Sequence, residues 1–161
     1  MISKLLSSQT IIYQIILFLS FSLSVNYFVD LEFVNYLSYV FFHLTLIYIV
    51  FYFFHFSLIF ISFLYGIFFD IFLVYYISPH LISFLVFVFL FFYIKKYLLN
   101  LSSNKISYII ISLTFIMFIS EALIAKTFFN YPINYDLGWL LFTSMILFFP
   151  SLYLFSKIDK L

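Results

Sequence analysis

The sequence predicts an all-α, polytopic membrane protein. Of its 161 residues 67% are hydrophobic and only 8% are charged, and the charged residues fall between long apolar runs. Mean hydropathy is +1.25. A soluble domain carries about 25% charged residues, so this chain cannot clothe a water-facing surface with solvated groups. Seven lysines, no arginine and six acids leave a net charge of +1, which excludes the basic face of a nucleic-acid binder. The absence of cysteine excludes a disulfide framework, a thiolate metal site and a cysteine nucleophile. The 28 phenylalanines and 15 tyrosines, with lysine used to the exclusion of arginine and only two glycines, carry the mark of AT-rich coding. The aromatic excess therefore predicts lipid-facing filler and packing.

The spans follow from the rule that about 20 apolar residues cross the hydrocarbon core. The first covers 9–29, between Lys4 and the pair Asp30 and Glu32. Its length, the lack of an Ala-x-Ala site and the spans that follow predict a retained helix and not a signal peptide. From Tyr36 to Ile77 the run is broken only by His43, His55 and Asp70. As one helix it would be about 63 Å long at 1.5 Å per residue, twice the hydrocarbon thickness. It must be two spans, 36–54 and 56–77, with a turn around His55 to Ser57. Ser78-Pro79-His80 predicts a helix start, with Ser78 as cap and Pro79 in the first turn. The fourth span, 79–99, ends at Lys95 and Lys96, which can snorkel. Asn100 to Lys105 is a polar loop, and the fifth span, 106–129, contains Glu121 and Lys126. Asn130 to Asp136 is a second loop rich in turn residues. The sixth span is 137–156, and a charged tail, Lys157 to Lys160, closes the chain. The whole of 1–161 reads as a single integral membrane domain.

Orientation agrees with that count. With both termini cytoplasmic, Lys4, Lys95, Lys96, Lys105, Lys157 and Lys160 lie inside and only Lys126 outside, as positive-inside bias requires.

Asp70 is the sharpest polar feature. An acid at a helix centre costs roughly 2.5–3.5 kcal/mol on insertion, and such carboxylates face the bundle interior. Gly66 lies one turn earlier on the same face, so a second helix can approach at Gly66 and donate a hydrogen bond to Asp70. That makes Asp70 either a packing contact or part of a proton or ion relay. If the chain is a scaffold for a partner helix, Asp70→Ala should weaken partner binding more than Asp70→Asn, which keeps a hydrogen-bonding side chain. Glu121, at similar depth, has Lys126 five positions on and about 140° round the helix, a poor partner; it is expected to bond to another helix or to a partner protein. His43, His55 and His80 form no ligand motif, and each reads as a satisfied or interfacial histidine; no metal is expected. No nucleophile elbow, zinc-protease, phosphate-loop or dinucleotide motif is present, so the chain reads as no enzyme and needs no cofactor.

The stretch Phe63-Leu64-Tyr65-Gly66-Ile67-Phe68-Phe69-Asp70, followed by Ser78-Pro79-His80 and another apolar helix, resembles the Gly-x-x-x-Asp signature of the MreD family of rod shape-determining membrane proteins. Phe149-Pro150 in the last helix with its basic end at Lys157, and the acid Glu121 in the fifth span, are similar to that family's layout. Val74-Tyr75-Tyr76-Ile77-Ser78 departs from it, since family members carry a Gly-rich segment there. The resemblance implies a fold like that of the substrate-binding subunits of energy-coupling-factor (ECF) transporters. It also implies a non-enzymatic scaffold in the bacterial cytoplasmic (inner) membrane that organises peptidoglycan synthesis during elongation. Its partner would be an MreC-like bitopic protein, with MreB, RodA and a penicillin-binding transpeptidase associated indirectly. Gly66, Asp70, Glu121 and Pro150 would then serve partner binding or helix packing. The alternative is a substrate-binding subunit of an ECF vitamin transporter. Against it stand the missing Ala-x-x-x-Ala docking pattern and short loops between the first and second and the third and fourth helices.

Overall fold

The computed structural model describes residues 8–25, 32–74, 79–98, 103–129 and 136–160. Among them lie six helices and no strand: α1 (Ser8–Ser24), α2 (Glu32–Tyr52), α3 (Ser57–Phe69, continued by a π-helical turn, Asp70–Val74), α4 (Pro79–Leu98), α5 (Ser103–Phe129) and α6 (Leu137–Ile158). The long apolar run divides as its length demands: α2 ends at Tyr52, and Phe53 to Phe56 make the turn before α3. Within this turn the Ser57 backbone N–H donates to His55 Nδ1 at 3.3 Å, while the N-cap residue Phe56 offers no side-chain bond to α3.

Several boundaries differ from the hydropathy reading. The helix α2 begins four residues early, because Glu32 in the first turn complements the positive end of the helix dipole. Ser103, Asn104 and Lys105 belong to α5 and not to the preceding loop. The sixth helix runs on to Ile158, so the first two of the four residues of the expected charged tail are helical. Lys4, Asp30, Ser78 and the loop residues Asn100 to Ser102 and Asn130 to Tyr135 lie outside the described residues.

The helix α2 is the axis of the bundle. It packs against α1, α4, α5 and α6, and its Phe42 ring meets Tyr65 and Phe69 of α3 at 5.0 and 4.8 Å. From Phe42 to Phe51 every residue of it is buried, as expected of a helix that is apolar all round. The others form a rim in which α3 packs on α4, α4 on α5 and α5 on α6.

The distribution of polarity is inverted relative to a soluble protein. Large apolar side chains point outward on every helix, among them Phe18, Phe60, Phe92, Tyr108 and Phe149. Asp70, His80, His43 and Glu121 are buried inside. Contiguous apolar exposure of this kind suits lipid and not water. Three helices, Glu32–Tyr52, Lys105–Phe128 and Leu137–Ile158, are long and apolar enough to cross a membrane; Gln9–Ser24, Ser57–Leu73 and Pro79–Ile94 are shorter apolar helices. Serine and threonine hydroxyls are absorbed by their own helices: Thr45 donates to the Phe41 carbonyl and Thr143 to the Trp139 carbonyl, both at 2.7 Å. Such hydroxyls meet the demand for internal satisfaction in lipid, whereas the buried hydroxyls of Ser62 and Ser151 have no partner among the described residues.

Candidate functional site

Two sequence features build the site: an acid at the end of α3 and a helix that starts with Pro79. The four first N–H groups of a helix lack partners within it. Here Asp70, ten residues upstream of the helix it caps, supplies two of them. Its Oδ1 accepts from the His80 backbone N–H at 2.9 Å and its Oδ2 from that of Leu81 at 3.1 Å. Asp70 stands where α-helical hydrogen bonding gives way to the wider π turn, an irregularity common at functional positions. Gly66, one turn before, permits the approach. A Cβ there would stand 2.7 Å from the Leu81 Cα and 3.1 Å from the Leu81 nitrogen.

From Asp70 a chain of hydrogen bonds crosses the bundle. His80 Nδ1 lies 2.8 Å from Asp70 Oδ1, and His80 Nε2 lies 2.9 Å from the Tyr39 hydroxyl. Tyr39 donates to Glu121 Oε2 at 2.7 Å, and Glu121 Oε1 lies 3.0 Å from His43 Nε2. His43 Nδ1 ends the chain 2.8 Å from the Tyr39 carbonyl. Four helices, α2 to α5, and the π turn are thereby joined.

The five side chains are 0–1% exposed. Phe69, Phe84 and Phe118 seal them. Phe69 stacks on His80 at 5.5 Å, Phe118 stacks on Tyr39 at 5.9 Å, and Phe84 sits edge-on to His43 at 5.4 Å.

The partner atoms dictate the hydrogens. A carbonyl only accepts, so His43 Nδ1 carries a proton. In the arrangement where Tyr39 gives its proton to Glu121, His80 Nε2 donates to Tyr39. With both acids ionised, His80 Nδ1 and His43 Nε2 must also donate. Each imidazole then holds two protons, and two cations balance two anions. A charged network survives in an apolar interior only when paired and hydrogen-bonded in this way.

The sequence reading singled out Asp70 and Glu121 separately; the structure joins them, and the link is Tyr39. His43 and His80, each expected to be a satisfied or interfacial histidine, are buried and satisfied, and the bonds that satisfy them are links of this chain. His55 is apart from them, with its Nδ1 3.0 Å from the Ser57 hydroxyl. Lys126 is exposed, and Glu121 bonds to α2. Pro150 lies exposed on the outer face of α6, away from the cluster. Tyr39 escaped notice because nothing local separates it from 14 other tyrosines. The one available signal was its spacing of four from His43, which puts the two on one helical face. Among the described residues no group of three or more His, Cys, Asp or Glu side chains could hold a metal ion.

A second cluster sits at the opposite end of α2. Asp159, just past α6, accepts from the hydroxyls of Tyr13 at 2.7 Å and of Tyr48. Gln9 donates to its carbonyl at 2.9 Å. The expected charged tail therefore contains a clamp, Asp159, that holds α1, α2 and α6 together.

No family model, curated protein or solved structure matches the chain.

Proposed function

We propose that the protein is a non-enzymatic, six-span scaffold with both termini cytoplasmic, acting in an MreD-like role in the bacterial cell-elongation machinery and binding an MreC-like bitopic partner. The observation that carries this reading is the use of the Gly66-x-x-x-Asp70 motif. Gly66 brings the start of α4 against α3, and Asp70 caps it. The motif on which the resemblance rests thus builds the framework of the bundle, which is the use a scaffold has for it. The apolar exterior on every helix adds to this, since it offers lipid and partner helices a continuous surface.

The test is an affinity pull-down of the tagged protein from mildly solubilised native membranes, read by mass spectrometry. Recovery of a bitopic MreC-like protein with cell-wall synthases behind it is the expected result. Recovery of paired ATPases with a helical coupling subunit would overturn it in favour of a transporter component.

A further inference from the structure

The buried chain has two complete sets of hydrogen positions on one set of heavy atoms. In the first, His80 is doubly protonated and Tyr39 donates to Glu121. In the second, the His80 Nε2–H bond breaks as a Tyr39 O–H bond forms. The original Tyr39 O–H bond breaks in turn, and its proton goes to Glu121 Oε2. Tyr39 now donates to a neutral His80, Glu121 donates to Tyr39, and Asp70 and His43 keep their hydrogens. Every one of the five bonds, from Asp70 to the Tyr39 carbonyl, is filled in both. One proton has moved from His80 to Glu121, no proton enters or leaves, and net charge stays at zero.

From this geometry we infer that Tyr39 is a proton bridge, and that the chain Asp70–His80–Tyr39–Glu121–His43 is a two-state proton relay enclosed in the bundle. The distances on either side of the phenol oxygen, 2.9 and 2.7 Å, are those of well-formed hydrogen bonds, so the donors and acceptors are already in contact for a proton to pass between them. Burial at 0–1% exposure keeps water from competing for the bridge. Charged and titratable groups face the bridge from every element packed on it: Asp70 from the π turn, His80 from α4, His43 from α2 and Glu121 from α5. The two states differ in whether a cation sits at the start of α4: in the second state His80 and Glu121 are both neutral, and the remaining charges are those of Asp70 and His43. The relay therefore sets whether the capped end of α4 carries an imidazolium against Asp70.

Glu121→Gln separates a relay from a merely structural chain. Its amide oxygen can accept from Tyr39 and its N–H can donate to a neutral His43, so the bonds persist, but it cannot take up a proton. The experiment is nitrogen NMR of histidine-labelled protein in lipid nanodiscs over a temperature series, with infrared detection of protonated carboxylic acid. In the wild type the His80 nitrogens should average between imidazolium and neutral imidazole, and a protonated-acid band should rise as His80 loses its proton. In Glu121→Gln that band should vanish and His80 should stay imidazolium throughout. A wild-type His80 fixed in one form at every temperature, with no protonated-acid band, overturns the relay whether or not the variant folds.

Discussion

At the scale of single residues, the carboxylate of Asp70 is defined by what converges on it. Three N–H groups use its two oxygens: both backbone donors of the α4 start, and the His80 ring. An asparagine has one accepting oxygen, so whichever way its amide is turned one backbone N–H faces another donor. Asp70→Asn is therefore expected to be as damaging as Asp70→Ala. Each should lose about 1–3 kcal/mol, the cost of an unsatisfied buried donor, in denaturant unfolding from detergent micelles. The ranking expected from the sequence, with asparagine the milder, concerns partner binding; for stability this geometry predicts no such advantage, and an asparagine variant near wild-type stability would overturn that prediction. Glu121 is the opposite case. Glu121→Gln keeps both neighbours bonded and should stay within about 1 kcal/mol of wild type, whereas Tyr39→Phe strips partners from His80 and Glu121 together and should cost about 1–3 kcal/mol. The same unfolding measurement ranks the two.

Among the elements, the α3–α4 pair shows how one small residue places a polar group. Gly66 lets the Leu81 backbone lie so near α3 that Asp70 can reach over the start of α4. In Gly66→Ala the added methyl meets main chain, which cannot swing aside. The pair must separate, at an overpacking cost of about 1–3 kcal/mol, and the Leu81 N–H must leave Asp70. Amide hydrogen exchange at Leu81 should rise in that variant well above its rise elsewhere in α4. The start of α6 is held differently: Asp136 Oδ1 accepts from the Gly138 N–H at 2.7 Å, an N-cap of the ordinary local kind. Local caps can be read from sequence, and the Asp70 cap could not, because it acts between helices.

For the whole molecule, one polar cluster sits at each end of the central helix: the relay near the start of α2, and the Asp159 clamp near its finish. The clamp joins α1 to α6, helices far apart in sequence. Asp159→Ala should remove the acceptor of the Tyr48 hydroxyl and leave the Tyr13 hydroxyl only its longer bond to the Phe155 carbonyl at 3.3 Å. Hydrogen exchange in α1 should then quicken more than in α4, which the clamp does not touch. The proposed six-span topology also makes a prediction that the cysteine-free chain is well suited to test. A membrane-impermeant thiol reagent applied to sealed, inside-in cells should label Lys126→Cys and spare Phe56→Cys. Labelling of both, or of Phe56→Cys alone, would refute that topology.

The sequence by itself determined that the protein is a bundle of apolar helices, broke the long run between Tyr36 and Ile77 in two, and marked Asp70, Gly66 and Glu121 as costly or permissive residues. These follow from composition, from the length a helix needs, and from local spacing, all of which a single chain states directly. Only the tertiary structure decided that Asp70 and Glu121 belong to one chain of hydrogen bonds, that His80 and His43 are members of it, that a tyrosine among fifteen links them, and that Asp159 is a clamp. The reason is physical. Helical periodicity relates residues three or four apart, whereas Tyr39 meets His80 across 41 positions and Glu121 across 82. Which side chains meet at such separations is set by how helices turn and slide against one another, and that is settled by packing the whole bundle at once.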